Sequence, residues 1–236
     1  MGLSHSPRIV TNGLVLCLDA ANPKSYPGTG TAFNDLSGNG KHFAWDAQPT
    51  FVSAGGASYI NTSGRFATGP ASDSFGLTGA SGYTVTFLMQ QITTGENYSF
   101  LFSKTGTGGV NRGITAHLAW AGGTVFFDQG GCCGSDTRVN IAVDTTSSWC
   151  MMSLRRETNS SNRSIIRNTT TLITNTSTAA DISLISEPAY MNKNPNDLTL
   201  TGAWNTKLGM MLTYNRGLSD VEIQQNFNAL RGRYGI

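Results

Sequence analysis

Short runs of β-branched, aromatic and aliphatic residues, separated by polar turns, fill most of this 236-residue sequence. Runs such as YTVTFLMQ, beginning at Tyr83, and KLGMMLTYN, beginning at Lys207, have the residue preferences of core strands. About a dozen such runs follow one another, with Gly, Asn, Ser and Pro between nearly all of them. No repeat of fixed period is present, which argues against a propeller or a solenoid. The pattern predicts an all-β chain folded as a sandwich or a jelly roll.

The sequence divides into three parts that belong to one domain. Residues 1–12 are predicted to form an N-terminal arm, because Pro7 and its polar neighbours resist regular structure. Residues 13–217 hold the predicted strands, and no linker rich in Pro, Gly or Ser separates them into two bodies. Residues 218–236 are predicted to be a short helix followed by a basic tail.

The start of that helix is marked by two local signals. Ser219 and Glu222 have the spacing of a capping box, in which each side chain satisfies a free backbone N–H of the first turn. Leu218 and Ile223 occupy the two positions of a hydrophobic staple. Together these residues predict a helix that begins just after Ser219.

The apolar residues of the helix form a single stripe. Ile223, Phe227 and Leu230 follow at helical spacing, and Gly232 stands where a left-handed C-cap favours glycine. One stripe cannot build a core, but it can lie against a larger body. We therefore expect the helix to cover the edge of the sandwich with these three side chains buried. Residues 231–236 are predicted to lie beyond the packed surface and to be dispensable for the fold.

The overall charge gives little reason to expect a polyanionic partner. The formal net charge is +2, so neither nucleic acid nor a membrane is predicted as a partner. The first residues lack the apolar core of a signal peptide, and no run approaches the roughly 18 apolar residues of a membrane span. These features predict a protein that is made in the cytoplasm and is either used without a secretion step or released by lysis.

The four cysteines do not form a recognisable metal-binding or disulfide framework. Cys17, Cys132, Cys133 and Cys150 lack the paired spacing of a zinc site. Neighbouring Cα atoms are closer than relaxed disulfide geometry prefers, so Cys132 and Cys133 are not expected to bridge one another. Without a secretion signal, all four thiols are predicted to be free.

Several segments occur in an order that resembles a known family. They are GLVLCLDA from Gly13, LFSK from Leu101, SSWCMMSLRRE from Ser147 and YNRGLSDVEIQQNF from Tyr214. In this order they resemble the laminin G-like branch of the concanavalin A-like lectin/glucanase superfamily, over roughly residues 13–228. Stand-alone chains with this opening and this ending resemble structural proteins of tailed bacteriophages.

The resemblance implies a lectin-like, two-sheet antiparallel jelly-roll sandwich that is closed by its terminal helix, in a virion protein. The sequence shows no trimeric shaft or coiled coil, which favours capsid decoration over a tail fibre. The expected partners are then other capsid or tail proteins. The alternative is a carbohydrate-binding adhesin, or a receptor-binding module associated with a tail fibre, that binds host or environmental glycans. A glycoside hydrolase is the third reading.

The acidic residues do not match the hydrolases of the superfamily. Those enzymes typically carry their carboxyl groups on one strand as E-x-D-x-E, because cleavage needs two facing carboxyl groups. No glutamate here has an acid two residues away on a predicted strand, and no G-x-S-x-G motif is present. His117 is interpreted as a hydrogen-bonded strand residue rather than a base. We therefore predict that the protein is not an enzyme.

No cofactor is predicted. None of the acidic loops aligns with the calcium site that the family resemblance would imply, so calcium is only an alternative to a metal-free protein.

Glycan binding has the best candidate residues. Sugar sites combine an aromatic face with polar side chains, usually on loops of a rigid scaffold. Trp120 ends a predicted strand, and Asn111, Arg112 and Asp128 belong to neighbouring turns by sequence. These four residues are the predicted glycan site, with a core or interface position as the alternative for Trp120.

A second candidate site lies at the end of the chain. Arg231, Arg233 and Tyr234 form a small basic and aromatic tail. Such a tail can dock on a partner protein, or it can be a solvated end.

Overall fold

A computed structural model of the chain describes residues 7–53, 57–95, 98–103, 112–176, 178, 182–193 and 205–236. In these residues the elements run in this order: β1 (Leu14–Asp19), β2 (Ala32–Phe33), β3 (Phe43–Trp45), β4 (Thr50–Val52), β5 (Tyr59–Asn61), β6 (Ala67–Ala71), β7 (Tyr83–Gln91), β8 (Phe100–Ser103), β9 (Arg112–Trp120), β10 (Thr124–Gln129), β11 (Arg138–Ala142), β12 (Cys150–Arg156), β13 (Arg163–Arg167), β14 (Thr170–Asn175), β15 (Pro188–Met191), β16 (Thr206–Tyr214) and α1 (Asp220–Tyr234).

The strands form two antiparallel sheets. The first sheet has the order β14-β13-β12-β7-β16-β5-β4, and β1 also pairs with β16. The second sheet has the order β11-β10-β9-β8-β15-β6-β3-β2. The predicted all-β, two-sheet antiparallel sandwich with one C-terminal helix is confirmed.

The main core lies between the two sheets and follows from the alternation of side chains along each strand. On β7, Val85, Phe87 and Met89 point into this core, while Leu88 points to the opposite face. The second sheet contributes inward residues of the same kind, including Phe127 of β10. Strand β7 is nevertheless buried along almost its whole length. Its outer face must therefore be covered as well.

Helix α1 provides that cover. Ile223 and Leu230 are 2% and 3% exposed, and they belong to a second apolar cluster with outward residues of the first sheet such as Met151 and Leu212. The capping box forms as predicted: Ser219 N donates to Glu222 Oε2 at 2.9 Å, and Glu222 N donates to Ser219 Oγ at 3.3 Å. The helix therefore packs across the first sheet and leaves the second sheet uncovered by any helix in the described ranges.

The predicted end of the helix is wrong. The chain stays helical to Tyr234, and the left-handed C-cap is Gly235 with φ 68° rather than Gly232. Tyr234 is only 6% exposed and packs on Trp149 with ring centroids 4.5 Å apart. Gly209 of β16 makes room for the ring, since a Cβ there would lie 2.5 Å from the tyrosine hydroxyl oxygen. Tyr234 is thus part of the packed surface, contrary to expectation, while Arg231, Gly232 and Gly235 are exposed.

The predicted apolar stripe is also incomplete. Phe227 is half-buried rather than buried, because Asn226 takes the central position at 1% exposure. Its side-chain oxygen accepts a hydrogen bond from Val10 N at 2.8 Å, and its amide donates to Tyr214 Oη at 3.1 Å. A buried polar residue at a helix–sheet contact is tolerated because both of its polar atoms have partners.

The described part of the N-terminal arm is bound to the helix. Residues 7–12 are irregular, as predicted, but Val10 is buried and its carbonyl accepts from Tyr214 Oη at 3.0 Å. Gln225 Nε2 donates to the Arg8 carbonyl at 2.8 Å. The first six residues of the predicted arm lie outside the described part.

Two further observations concern a segment before β15 and the length of the helices. Residues 182–185 lie outside the strands, and β15 begins at Pro188. Within the described residues, no helix is both long enough and apolar enough to cross a membrane.

Candidate functional site

The outer face of the second sheet carries a pocket near the ends of β9, β10 and β11. We call it the aromatic pocket. Its volume is about 340 Å³. It is lined by Tyr98, Arg112, His117, Trp120, Phe126, Cys132, Cys133 and Arg138.

Strand alternation and register explain how these residues come together. On β10, Val125 and Phe127 point into the core. Because side chains alternate along a strand, Phe126, which stands between them, and Asp128, which follows Phe127, point outward. Phe126 lies directly opposite His117 of β9, and Asp128 lies directly opposite Arg138 of β11. Residues far apart in the sequence thereby form neighbouring cross-strand pairs on one face.

Four rings form the apolar wall of the pocket. The His117 ring lies at the centre, with centroids 5.0 Å from Tyr98, 4.9 Å from Trp120 and 6.0 Å from Phe126. Trp120 is half-buried and also lies 5.8 Å from Tyr98 and 6.0 Å from Phe126. All these contacts are edge-to-face, the geometry that aromatic quadrupoles favour. The wall is thus packed by its own members before any ligand arrives.

A buried carboxylate organises the polar side of the pocket. Asp128 is fully buried although it points away from the core. Arg138 donates to it twice, from Nε to Oδ1 at 2.6 Å and from Nη2 to Oδ2 at 2.7 Å. Arg112 Nη1 donates to Oδ2 at 2.9 Å, and His117 Nε2 lies 3.4 Å from the same oxygen. Two guanidinium groups therefore share one acid.

The ionisation of Asp128 follows from these contacts. Burial alone would raise the pKa of its carboxyl, but the hydrogen bonds from Arg138 and His117 outweigh burial and lower the pKa below its ordinary value. The bond to Asp128 in turn raises the pKa of Arg138. Asp128 is thus ionised at neutral pH and lies beside two arginine side chains, a residue type that is always charged in proteins.

The loop after β10 forms the rim of the pocket. Cys132 is half-buried and Cys133 is exposed with φ 76°, and neither forms a disulfide. Burial raises the pKa of the Cys132 thiol. The Ser135 carbonyl, in the same loop, accepts hydrogen bonds from Arg163 Nη2 at 3.3 Å and from Asn175 Nδ2 at 3.0 Å. Strands of the first sheet therefore hold the rim in position.

The structure brings three of the four predicted glycan residues to this pocket. Arg112 and Trp120 line it, and Asp128 lies beneath it. Asn111 lies outside the described residues. Trp120 is half-buried and belongs to neither apolar core cluster.

Sequence reasoning missed several members of the pocket. Tyr98, Phe126 and Arg138 were not singled out, and His117 was interpreted only as a bonded strand residue. Phe126 could have been found from strand alternation, because it stands between the inward residues Val125 and Phe127 in the run TVFFD. Arg138 required knowledge that β11 pairs with β10 in the register that places it opposite Asp128.

The predicted tail residues are largely used inside the fold. Arg233 forms a two-fold ion pair with Asp19 of β1, at 3.0 and 2.8 Å. The hydroxyl of Tyr234 donates to the Ser58 carbonyl at 3.3 Å. Arg231 is exposed. Arg233 and Tyr234 thus fasten the helix to the first sheet.

A larger but shallower recess, of about 470 Å³, lies at the start of α1. Its charged residues pair with one another: Arg216 holds Glu222 in a two-fold ion pair, and Arg155 Nη1 bonds Asp220. The bonds from Arg216 lower the pKa of Glu222 to about 2. These charges serve the helix start, so the aromatic pocket is the better candidate site.

Metal binding has no candidate cluster in the described ranges, where no three His, Cys, Asp or Glu side chains come together in a way that could hold an ion.

Comparison with known proteins identifies the fold. No family model matches the sequence, and no curated protein matches it. The binding domain of Paraclostridial Mosquitocidal Protein 1 matches with a TM-score of 0.65 and 15% identity, over 93% of this chain and 52% of that chain. A structure of botulinum neurotoxin type C matches with a TM-score of 0.63 and 12% identity, over 93% and 52%.

A second group of similar structures comes from sialidases. A mutant of Trypanosoma rangeli sialidase with trans-sialidase activity matches with a TM-score of 0.64 and 14% identity, over 95% of this chain and 34% of that chain. The chain therefore spans about half the length of the toxin structures and about a third of the sialidase. At these identities the likeness shows the fold, a lectin-like β-sandwich.

The sialidases also correct one expectation. The sequence led us to exclude enzymatic activity, because the E-x-D-x-E pattern is missing. That exclusion is wrong as an inference, since the fold occurs in sialidases as well as in toxin binding domains.

Proposed function

We propose that this protein is a carbohydrate-binding module and that the aromatic pocket holds the sugar. The observation that carries the proposal is the pocket itself, in which four rings and two fixed guanidinium groups converge on a sheet face that no helix of the described residues covers. Its volume of about 340 Å³ is near the lower end of the range of about 300–1,000 Å³ typical of small-ligand sites. A terminal sugar unit fits such a space better than a long chain.

The chemistry of the pocket suits a sugar ring. A pyranose has an apolar C–H face that packs on an aromatic wall, and a polar edge that needs hydrogen-bond partners. Trp120 offers the wall, while Arg112 and Arg138 offer donors along one side, where the Arg138 guanidinium lies over the Phe126 ring at 4.3 Å from its centroid. The rigid strands beneath keep these groups in place, as binding residues on a fixed scaffold require.

A similar structure supports the same class of ligand. Botulinum neurotoxin type C needs interaction with two ganglioside molecules to enter cells. Gangliosides carry an oligosaccharide headgroup, so at least one protein of this fold uses glycan recognition.

The test is a glycan array probed with the wild type and Trp120→Ala. We expect discrete glycan hits for the wild type and their loss in the variant, with the thermal melting temperature showing that the variant is folded. Trp149→Ala is the matched control, because it removes the same side chain from the opposite sheet, where it packs on Tyr234. Measured at a temperature where it is folded, this control should keep the hits.

Two outcomes would contradict the proposal. One is a wild type that binds no glycan on a broad array, and the other is equal binding by wild type and Trp120→Ala. Chromatography of each bound glycan after incubation will detect release of sugar, so a hydrolase is recognised in the same experiment.

We also infer that the module belongs to a virion of a tailed bacteriophage and is made in the host cytoplasm. The ordered segments from Gly13 to YNRGLSDVEI support this location. The lectin-like fold and the aromatic pocket favour an adhesin associated with the tail over a capsid decoration protein. Antibody labelling of purified virions tests the inference, and label on capsids or on no particles would contradict the tail assignment.

A further inference from the structure

We propose that the ligand is an acidic sugar whose carboxylate is held by Arg138 and Arg112. The proposal rests on carbohydrate binding at the aromatic pocket and adds the class of sugar. It follows from three features of the site: which hydrogen-bonding atoms are already used, which charge is left over, and which donors have no partner.

The one acid of the site is already occupied. A carboxylate oxygen accepts about two hydrogen bonds. Oδ2 of Asp128 accepts from both Arg138 and Arg112 and lies 3.4 Å from His117 Nε2, while Oδ1 accepts from Arg138. Asp128 is also fully buried. It therefore cannot serve the hydroxyl donors of a neutral sugar, and the charged side chains that line the pocket are the two arginines, which only donate.

The charge of the site is unbalanced. Arg112 and Arg138 carry two positive charges, and Asp128 carries one negative charge, so one positive charge is in surplus. No other acidic side chain is among the described residues that line the pocket. Aromatic walls exclude water and strengthen electrostatic attraction near them. A ligand with one negative charge would balance the site, whereas a neutral sugar would not.

Unused donors remain on both arginines. Arg138 Nη1 makes no hydrogen bond to a described residue, and the side chain is 20% exposed at the pocket. Arg112 Nε is buried and has no partner among the described residues. A guanidinium edge binds a carboxylate with charge-assisted bonds that are stronger than those to a hydroxyl. The free Nη1 of Arg138 thus matches a carboxylate better than a sugar alcohol, and the positive charge of Arg112 lies next to it.

The experiment compares sugars that differ only in charge. The probes are the methyl glycosides of glucuronate and galacturonate, those of glucose and galactose, and N-acetylneuraminic acid with its methyl ester. Titration calorimetry measures each affinity. We expect at least one acid to bind about tenfold or more tightly than its neutral counterpart, because a hydrogen bond to a charged group is the stronger kind. Added salt should reduce that difference.

Variants then assign the preference to the arginine. Arg138→Gln should lower the affinity for the acid more than the affinity for the neutral sugar, so that the ratio of the two affinities falls towards one, and Arg138→Lys should restore part of that ratio. Arg65→Gln is the control, since it removes an exposed arginine from another part of the surface. Should Arg138→Gln fail to fold, the comparison of acid and methyl ester on the wild type still decides the question.

The outcomes separate the two proposals. Tighter binding of the acid supports the inference. Equal binding of acid and neutral partner overturns it but leaves carbohydrate binding in place. Binding of no sugar on the panel or on the array overturns both.

Discussion

The two outer faces of the sandwich carry similar aromatic clusters, but one cluster is covered by the helix and the other borders a pocket. On the first sheet, Trp149 lies 4.5 Å from Tyr234 of the helix and 5.7 Å from Tyr59. On the second sheet, Trp120 lies 4.9 Å from His117 and 5.8 Å from Tyr98. The first cluster is completed by the chain's own tyrosine, while the second borders a pocket. The same side-chain chemistry thus stabilises the fold in one place and is open to a ligand in the other.

The charged side chains near the two clusters also differ, because they are balanced at the first cluster and unbalanced at the second. Beside the first cluster, Arg233 and Asp19 form a one-to-one pair. In the second, two arginines share Asp128. A balanced pair needs nothing further, whereas an unbalanced group retains affinity for an anion. We therefore expect mutations at the first cluster to act on stability and mutations at the second to act on binding.

The largest effect is expected from Tyr234→Ala. The ring is buried against Trp149 and Gly209, so its removal leaves a cavity and should cost about 3–5 kcal/mol of unfolding free energy, as for other large aromatic truncations. Urea denaturation measures the change. Val221→Ala on the exposed side of the helix, 77% exposed, is the control and should be neutral. An unchanged midpoint for Tyr234→Ala would show that the helix is not held by this contact.

Asp128→Asn is expected to cost somewhat less. The substitution keeps the shape but leaves two arginines without their acid, and breaking a buried pair typically costs about 3–5 kcal/mol. We expect about 3 kcal/mol, at the low end of that range, because Arg138 is partly exposed. Chemical denaturation measures it, and Asp46→Asn, next to exposed Arg65, is the matched control. Equal effects of both substitutions would contradict the role assigned to Asp128.

The same acid predicts a dependence on pH. Because the folded pKa of Asp128 is lowered, its contribution is complete above the ordinary carboxyl pKa of about 4 and is lost as the pH falls through the lower folded pKa. Wild-type unfolding free energy should therefore drop below about pH 4 more steeply than that of Asp128→Asn. Denaturation at a series of pH values tests this, and parallel curves would contradict it.

Ser219→Ala should have a moderate effect confined to the first cluster. Loss of an N-cap typically costs about 0.5–2 kcal/mol, and here it also removes one partner of Glu222. Thermal unfolding measures the cost. Glycan affinity should be unchanged, because the helix lies on the other sheet; a weakened affinity would mean that the two faces are coupled.

The smallest effect concerns only a reaction rate. Burial raises the pKa of Cys17 to about 12 and of Cys150 to about 11, so these thiols should resist alkylation in the folded protein. Exposed Cys133 should react first, and a bound glycan should slow its labelling and that of Cys132. Mass spectrometry of the peptides gives the rates. Equal labelling with and without ligand would argue that the glycan does not occupy the pocket.

The sequence predicted best what depends on near neighbours. The capping box joins residues three positions apart, and the strand runs alternate locally, so both were recognisable. The end of the helix was not, because it depends on Trp149, which lies 85 positions before Tyr234. Gly232 had the right residue type for a cap, but packing of Tyr234 extends the helix past it.

The candidate site shows the same division. Arg112, Trp120 and Asp128 could be grouped because their turns are neighbours in sequence. Phe126 and Arg138 could not, since their places depend on the register of β9, β10 and β11. A register shift of one residue would turn both away from the pocket. The electrostatic imbalance of the pocket therefore became visible only when the strands were paired.

The two hydrogen bonds from Arg138 to Asp128 affect both the rate and the thermodynamics of ligand binding. An arginine on an open surface samples many rotamers, and fixing one such side chain on association costs roughly 0.5–1.5 kcal/mol. Here the buried carboxylate has already selected the rotamer, and the loss of conformational entropy has been incurred during folding. A ligand then meets a preorganised guanidinium, so we expect its association to need no slow rearrangement of that side chain. We also expect the ordering of this side chain to contribute little to the temperature dependence of the affinity.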